Sequence, residues 1–380
     1  MTDSPLERRL AAGGAVFGEI AGRPVARHFG DSLAEYRAAR EGAAIADRAD
    51  LAQIRMWGRD PVKMLNGLIT NDLARAAPGQ GVYATMLTAK GRTIAELRVF
   101  RRTGADGPEL LLVLPREALE GTRAHLKKFV PPMFARWEDV SERSGTVGVY
   151  GPEARRLLGR TLGQEVPEMK EDEHLEAPFF GQPVLVAATR YAGGEEGFDI
   201  FAPGDALPPL WDALLEGGAP TARPLGFGAL ETLRIEAGRP RYGAELTEEV
   251  IPTEAFEATG MMPRAVSFTK GCYTGQEVII RIAHRGHVNR HLRGLLMGDS
   301  PAPSYRTPLY HPESGKQIGW TASAAVSPLL NQTVALGFVR RELLPGATVR
   351  LGAADGRLVT VAELPFRLPN GTPVLRGEAE

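Results

Sequence analysis

The chain has 380 residues, of which 43% are hydrophobic and 24% are charged, and its formal net charge at pH 7 is −1. This composition indicates a globular protein of more than one domain and excludes a strongly basic nucleic-acid binder. The single cysteine excludes a disulfide framework and fits a reducing interior. There is no apolar signal segment and no apolar run of about 18 residues, so we expect a cytoplasmic protein without a membrane span.

Short strands and short helices alternate before residue 290 without a regular βαβ period, which favours an α+β fold. The predicted elements are, in chain order, a hairpin of strands 82–88 and 92–102 with the turn Ala89-Lys90-Gly91, a strand at 109–114, a helix over 115–130, a strand at 146–150 and a helix with Pro152 in its first turn. The polar segment 160–180 is expected to be a surface connection.

After residue 293 the sequence changes to apolar segments separated by glycine and proline. The predicted strands are 294–297, 317–323, 333–339, 348–351 and 358–363. Such a series is typical of a small barrel or sandwich. We therefore divide the chain into regions 1–289 and 290–380.

The only cysteine lies in the octapeptide at residues 270–277, KGCYTGQE. Cys272 has Gly271 beside it and Lys270 two residues before it, a setting that favours a reactive thiolate. Thr274 and Glu277 match a capping box, which predicts a helix that ends at Gly286, with residues 278, 279, 282 and 283 facing inward. Two alternatives stay open, because the β-branched residues 278–280 also suit a strand and Cys272 also suits an inert packing role.

Two weaker patterns follow the octapeptide. His284, His287 and His291 have a spacing that some metal sites use, but Gly286 is expected to interrupt the helix between them, so we predict no metal site. A run of arginines over 281–293 is either a solvated face or a cationic rim for a carboxylated or phosphorylated partner, RNA included. The sequence contains no phosphate-binding glycine fingerprint and no nucleophile elbow.

The octapeptide resembles the K-G-C-Y-x-G-Q-E signature of the YgfZ-type proteins, relatives of the glycine-cleavage aminomethyltransferases (GcvT). Further blocks with this resemblance are 58–60, 65–73, 79–81, 83–91, 233–238, 242–243, 251–252, 327–329 and 335–339. The resemblance implies a three-lobed ring of two intertwined α+β (ferredoxin-like) lobes and a C-terminal β-barrel around a tetrahydrofolate channel.

The resemblance also implies a set of folate contacts. Residues 194–198 (GEEGF) are similar to the loop whose glutamate holds the pterin ring, and Glu195 matches that glutamate. A carboxylate there can accept two N–H donors of a pterin in one plane. Tyr83 lies in a family block, Tyr273 could form part of the channel wall, and Gln276 could donate to the ligand; we count these three as folate-binding residues.

Two departures from the aminomethyltransferases shape the functional prediction. Their Asp-Asp pair in the hairpin corresponds to Ala95-Glu96, and their Ala-Arg-Asp corresponds to 229–231 (ALE). The transfer machinery therefore looks lost while the folate scaffold looks kept. Like the YgfZ-type proteins, the chain is expected to be a tetrahydrofolate-binding factor for the assembly or repair of iron–sulfur enzymes, and through them for tRNA thiomodification.

In this interpretation Cys272 and Lys270 are the catalytic candidates, iron–sulfur client proteins are the partners, and the protein is a monomer. Whether the chain is an enzyme stays open. The alternatives are a folate-dependent one-carbon transferase or demethylase, in which another residue replaces the missing aspartate, and a non-catalytic adaptor that binds RNA or a client protein.

Overall fold

The computed structural model describes residues 4–105, 107–194 and 196–368. The helices are α1 (Pro5–Ala12), α2 (Ser32–Glu41), α3 (Pro61–Asn66), α4 (Leu119–Phe129), α5 (Ala154–Leu162), α6 (Leu207–Gly218), α7 (Phe227–Glu236), α8 (Pro252–Phe256), α9 (Met262–Ala265) and α10 (Gln276–Arg285). The strands are β1 (Val16–Ile20), β2 (Arg23–His28), β3 (Ala44–Asp47), β4 (Leu51–Trp57), β5 (Gly81–Leu87), β6 (Thr93–Gly104), β7 (Gly107–Pro115), β8 (Arg136–Asp139), β9 (Ser144–Tyr150), β10 (His174–Phe179), β11 (Gln182–Ala188), β12 (Gly197–Pro203), β13 (Arg223–Leu225), β14 (Arg290–Leu296), β15 (Pro308–Tyr310), β16 (Gln317–Ser327), β17 (Gln332–Arg340), β18 (Thr348–Leu351) and β19 (Leu358–Ala362).

The chain forms two compact units, and each is discontinuous in sequence. Unit 1 comprises Met1–Asn66, Asp72–Tyr83 and Leu97–Glu231. Unit 2 comprises Gly67–Asn71, Ala84–Glu96 and Thr232–Glu380. Strands β5 and β6 and helix α7 therefore have residues in both units.

The core of unit 1 lies on a six-stranded sheet with the order β10-β11-β12-β9-β3-β13. Neighbouring strands are antiparallel, except that β13 runs parallel to β3. Helices α5 and α6 contribute fully buried leucines to this core, among them Leu157, Leu158 and Leu210. Burying a leucine side chain contributes about 1.5–3 kcal/mol, so these two helices anchor one face of the sheet.

A five-stranded sheet has the order β5-β6-β7-β4-β8. The predicted hairpin is confirmed as β5 and β6, and the N–H of Gly91 donates to the carbonyl of Thr88 (2.9 Å) at its turn. Gly91 has φ of +72°, a left-handed conformation that favours glycine. The strand at 109–114 is confirmed as β7, and the helix predicted behind it begins with a 3₁₀ turn at Arg116–Ala118 and continues as α4.

The C-terminal strands close into a barrel with the order β14-β17-β16-β15-β18-β19. Each predicted segment after residue 293 falls on one of these strands, and the closed arrangement decides between barrel and sandwich. Strand β15 was missed because it is three residues long and begins with a proline, which is a poor strand signal. The predicted α+β class with a C-terminal β-barrel is confirmed.

The prediction of a surface connection over 160–180 was wrong in its second half. Residues His174–Phe179 form β10, which pairs with β11 at the edge of the six-stranded sheet. Ala177 and Phe179 are buried while Glu176 is exposed, so buried and exposed side chains alternate as in a strand with one face in the core. The proline and the glutamates make this alternation hard to recognise in the sequence. Among the described residues, no helix is long and apolar enough to cross a membrane.

Candidate functional site

The octapeptide leads directly into helix α10, but not through the predicted cap. The helix begins at Gln276, and its N-cap is Gly275 in a left-handed conformation (φ +82°), without a capping side chain. The capping box of Thr274 and Glu277 was therefore wrong, because the close packing around Gly275 takes precedence over the local cap signal. Gly286 follows the last helical residue, as predicted.

Two glycines allow the hairpin turn of unit 2 to pack against the start of α10. A Cβ atom on Gly275 would lie 2.5 Å from the carbonyl oxygen of Thr88, and one on Gly91 would lie 2.8 Å from the Cβ of Val278. Both distances are shorter than any real contact between such atoms. Ile279 is fully buried beneath this contact, whereas Ala283 is exposed, contrary to the prediction that it faces inward.

Lys270 ties the octapeptide to the segment 67–71. Its Nζ donates to the carbonyl oxygens of Ile69 (2.8 Å) and Asn71 (2.6 Å) and lies 5.2 Å from the centre of the Tyr273 ring. Charge-assisted hydrogen bonds of this kind are stronger than neutral ones. The ammonium group therefore organises the backbone around the octapeptide.

Tyr273 and Gln276, which follow Cys272 in the octapeptide, both make contacts within the protein. Tyr273 is 7% exposed, and burial raises the pKa of its phenol to about 12. The Gln276 side chain accepts a hydrogen bond from the N–H of Tyr273 (3.3 Å), which braces the loop. Cys272, in contrast, is exposed, and it lies four positions before the first residue of α10.

Of the remaining predicted folate contacts, Tyr83 belongs to unit 1. Tyr83 lies in β5 and is 7% exposed. Glu195 lies outside the described residues. Its neighbour Glu196 forms an ion pair with Arg155 (2.7 Å), and β12 begins directly afterwards at Gly197.

A carboxylate is buried in the second strand of the hairpin. Glu96 is 7% exposed, and its Oε1 accepts a hydrogen bond from the backbone N–H of Tyr242 (2.6 Å). The adjacent Ala95 is fully buried. Both the backbone N–H (3.1 Å) and the hydroxyl (2.9 Å) of Thr93 donate to the carbonyl oxygen of Val250, so the strand is fixed to the segment 242–250 at two places.

A buried ion pair, which sequence reasoning missed, supports this segment. Arg234 and Glu245 are both fully buried and 2.8 Å apart, and Arg234 also donates to the carbonyl of Arg239 and to the hydroxyl of Ser323. A buried charge pair needs such additional hydrogen bonds to offset its desolvation. Arg234 lies in the LRIEAG block, so its position could be read from the sequence, but its partner could not.

The histidines and arginines after the octapeptide do not form a common site. Among the described residues, no group of three or more His, Cys, Asp and Glu side chains is arranged to hold a metal ion. Arg290 forms an ion pair with Glu254 (2.9 Å) and stacks on Trp320 (4.4 Å to the ring centre). Of the arginine run, Arg290 is therefore held by a carboxylate that is distant in sequence.

The chain matches two family models over most of its length. Residues 6–270 match the GCVT N-terminal domain, and residues 290–366 match the glycine cleavage T-protein C-terminal barrel domain. In a comparison with solved structures, the aminomethyltransferase T of the glycine cleavage system from Bartonella henselae has a TM-score of 0.84 at 23% identity, covering 95% of this chain and 96% of that chain. At this identity the likeness concerns the fold.

Curated relatives of similar length are named aminomethyltransferase. Those from Desulfitobacterium hafniense and Staphylococcus carnosus are each 28% identical over 89% of this chain and 90% of their own length. The relative from Rubrobacter xylanophilus is 29% identical over 91% of this chain and 89% of its own. The prediction of an iron–sulfur maintenance factor was therefore wrong, because the relatives favour the alternative of a one-carbon transferase. The chain belongs to the family of the glycine cleavage T-protein.

Proposed function

We propose that the protein is a one-carbon transferase that moves an aminomethyl or N-methyl carbon to tetrahydrofolate. The observation that carries this proposal is the match to aminomethyltransferases along nearly the whole chain, barrel included. A match to only part of the relatives' length would support a shared scaffold and no more. Here the match covers 90% of the length of the relative from Desulfitobacterium hafniense.

Glu96 is the carboxylate that we propose for the transfer step. It lies in the hairpin strand that carries the Asp-Asp pair in the aminomethyltransferases, and it is buried and fixed by the N–H of Tyr242. A carboxylate held in a site of low dielectric stabilises positive charge that develops on a nearby amine nitrogen. The sequence-based argument that transfer was lost rested on the hairpin pair at 95–96 and on residues 229–231, and Glu96 offers a carboxylate at the first of these two places.

The folate contacts are proposed as they were predicted from sequence. Glu195 is proposed to hold the pterin and Tyr273 to form part of the channel wall, and Tyr83 is kept as a proposed folate contact. Gln276 is proposed as a ligand contact through its amide nitrogen, because its Oε1 is already occupied by the N–H of Tyr273. Lys270 acts through the loop that it fixes at Ile69 and Asn71.

Cys272 is proposed as an accessible nucleophile beside the one-carbon site. Its thiol is exposed on a loop that is otherwise held tightly, and a thiolate is the strongest nucleophile among ordinary side chains. If Cys272 takes part, Cys272→Ser lowers turnover at least tenfold without changing the melting temperature. Turnover equal to that of the native chain assigns the chemistry to Glu96 without the thiol.

Binding of the acceptor is tested first. Anaerobic calorimetry with tetrahydrofolate is expected to give micromolar affinity, roughly −8 kcal/mol, and Glu195→Ala should weaken it. Glu196→Ala is the matched control, because the side chain of Glu196 pairs with Arg155. Equal loss in both variants would point to a disturbed loop, and no binding by the native chain would contradict the proposal.

The subgroup, the domain division and the oligomeric state are proposed from the sequence. The octapeptide supports a YgfZ-type subgroup within the family. We also propose the division into regions 1–289 and 290–380. A monomer in the cytoplasm is proposed on composition and on the single cysteine. Size-exclusion chromatography with light scattering tests the monomer.

A further inference from the structure

A cavity of about 870 Å³ lies wholly within unit 2 and has no part in the proposed transfer step. Its walls come from the segment 253–268, from the end of helix α10 and from the barrel; they include the apolar side chains Met262, Phe268, Ile282 and Val288. Its volume is in the range of small-molecule pockets. Phe268 is 48% exposed, an unusual position for a phenylalanine that only packs.

Two opposite charges lie on these walls. Glu257 is more than half exposed and lies 3.8 Å from the Nδ1 of His291, and Arg341 is exposed and forms no ion pair with any described residue. Glu342 also lines the cavity, but it is paired with Arg340 (3.5 Å). The cavity therefore offers one carboxylate and one guanidinium to a ligand.

The end of helix α10 adds a partial negative charge to the lining of the cavity. The helix ends at Gly286, and Ile282, Ala283, Gly286 and His287 all line the cavity. The last carbonyl groups of a helix have no partner within it, and together they carry about half a negative charge. With Glu257 and the ring of Phe268, they make this wall favourable for an ammonium group.

Two buried polar groups on the walls lack partners. Thr253 is 5% exposed, and its hydroxyl has no hydrogen-bond partner among the described residues. The Nδ1 of His291 likewise has none, and burial lowers the pKa of this imidazole although Glu257 opposes the shift. An unsatisfied buried polar group is unfavourable, and a ligand that forms a hydrogen bond with it would remove this cost.

We propose that this cavity is a binding site for an amphiphilic zwitterion of amino-acid or short-peptide size. Its ammonium group lies toward Glu257 and the end of α10, its carboxylate toward Arg341, and its apolar body against Met262 and Phe268. The proposal is independent of the transfer reaction, since none of these residues has a role in it.

The test is calorimetric titration of the full chain with three matched probes: L-tryptophan, tryptamine and indole-3-propionate. We expect L-tryptophan to bind at least tenfold more tightly than either probe with a single charge. Tryptamine binding as tightly as L-tryptophan would overturn the zwitterion assignment, and so would no binding of L-tryptophan at millimolar concentration.

Three variants locate the binding. Glu257→Gln and Arg341→Gln should each weaken L-tryptophan at least tenfold, and both side chains are exposed, so the fold is kept. Thr253→Val should weaken it severalfold without lowering the melting temperature, because the lost hydroxyl has no partner. Glu313→Gln, exposed and outside the cavity, is the matched control. Binding unchanged in Glu257→Gln and Arg341→Gln would overturn the site.

Discussion

A buried network of unit 1 and the octapeptide of unit 2 hold their cationic side chains in different ways. In unit 1, Arg48 is 2% exposed and forms two hydrogen bonds of 2.9 Å to Asp50 and one of 2.7 Å to the hydroxyl of Tyr150. In unit 2, Lys270 is bound by two backbone carbonyls of the segment 67–71. In the first arrangement side chains bind one another, while in the second a side chain binds the backbone.

A second arginine extends the network of unit 1. Arg98 pairs with Asp172 (2.7 Å) and with Asp199 (2.6 Å), and Asp199 also accepts from the hydroxyl of Tyr150 (2.8 Å). Such a buried network depends on every member, because removing one leaves an uncompensated charge. We infer that unit 1 carries its charges for structure, whereas the octapeptide of unit 2 is shaped by close backbone packing around an exposed thiol.

Removing the arginine at the centre of the network should have the largest effect. Arg48→Met leaves Asp50 and Asp199 without their shared cation, and we expect a loss of about 3–5 kcal/mol in the free energy of unfolding. Arg75→Met is the control, since the ion pair of Arg75 with Asp72 is on the surface and contributes about 0–1 kcal/mol. Urea denaturation measures the free energy of unfolding of both variants. A loss for Arg48→Met as small as that for Arg75→Met would contradict the comparison.

The acid at the edge of this network should make unit 1 pH-sensitive. Burial, with Asp50 and Glu7 nearby, raises the pKa of Asp47 to about 7, although Arg23 and Arg48 oppose the shift. The folded protein therefore keeps a proton that the unfolded chain loses above about pH 4. The contribution of Asp47 to stability falls as pH rises from about 4 to 7, by up to about 1.4 kcal/mol per pH unit.

The substitution Asp47→Asn removes this titration. Relative to the native chain, the variant should gain about 2–4 kcal/mol in the free energy of unfolding between pH 4 and pH 8. Asp205→Asn, at an exposed position, should leave the pH dependence unchanged. Urea denaturation across the pH range decides the matter, and parallel curves for Asp47→Asn and the native chain would show that Asp47 is ionised in the fold.

Backbone packing around the octapeptide is tested within the motif itself. Gly275→Ala places a methyl group 2.5 Å from the carbonyl oxygen of Thr88 at φ of +82°, so we expect a loss of about 2–3 kcal/mol. Gly271→Ala meets no atom within 4 Å and should change stability by less than about 0.5 kcal/mol. Equal melting temperatures for the two variants would mean that the hairpin turn does not pack closely against the start of α10.

The smallest effect on stability is expected at the cysteine. Cys272→Ser should change the free energy of unfolding by less than about 0.5 kcal/mol, because the side chain is exposed. The thiol of the native folded chain should react with an alkylating reagent as fast as in the urea-unfolded chain. Strong protection in the folded state would mean that the loop is closed over Cys272.

Local sequence patterns predicted the structure correctly where interactions between residues close in sequence determine it. The hairpin around Gly91, the end of α10 at Gly286 and the larger barrel strands all follow from turn residues and apolar periodicity. The cap of α10 could not be predicted, because Gly275 is required by a contact with Thr88, nearly 190 residues earlier. Strand β10 was missed for a similar reason. It is stabilised by pairing with β11, and its own residues give only a weak strand signal.

The site shows the same limit more sharply. The octapeptide and Glu96 could be located from sequence, but the partners of Glu96 and Arg234 come from other segments. The functional prediction failed because it gave two local departures, at 95–96 and at 229–231, more weight than the likeness of the whole chain to the aminomethyltransferases. The length of the match to aminomethyltransferases overturns that prediction, while the role of Glu96 in the transfer step is a proposal.

The most direct test follows a labelled carbon. The native chain and Glu96→Gln are incubated anaerobically with tetrahydrofolate and a ¹³C-labelled aminomethyl or N-methyl donor, and the folate product is examined by mass spectrometry. We expect ¹³C in the folate with the native chain and a loss of about a hundredfold or more in rate with Glu96→Gln, whose amide keeps the acceptor for the N–H of Tyr242. Unlabelled folate with the native chain, or equal rates in the two proteins, would contradict it.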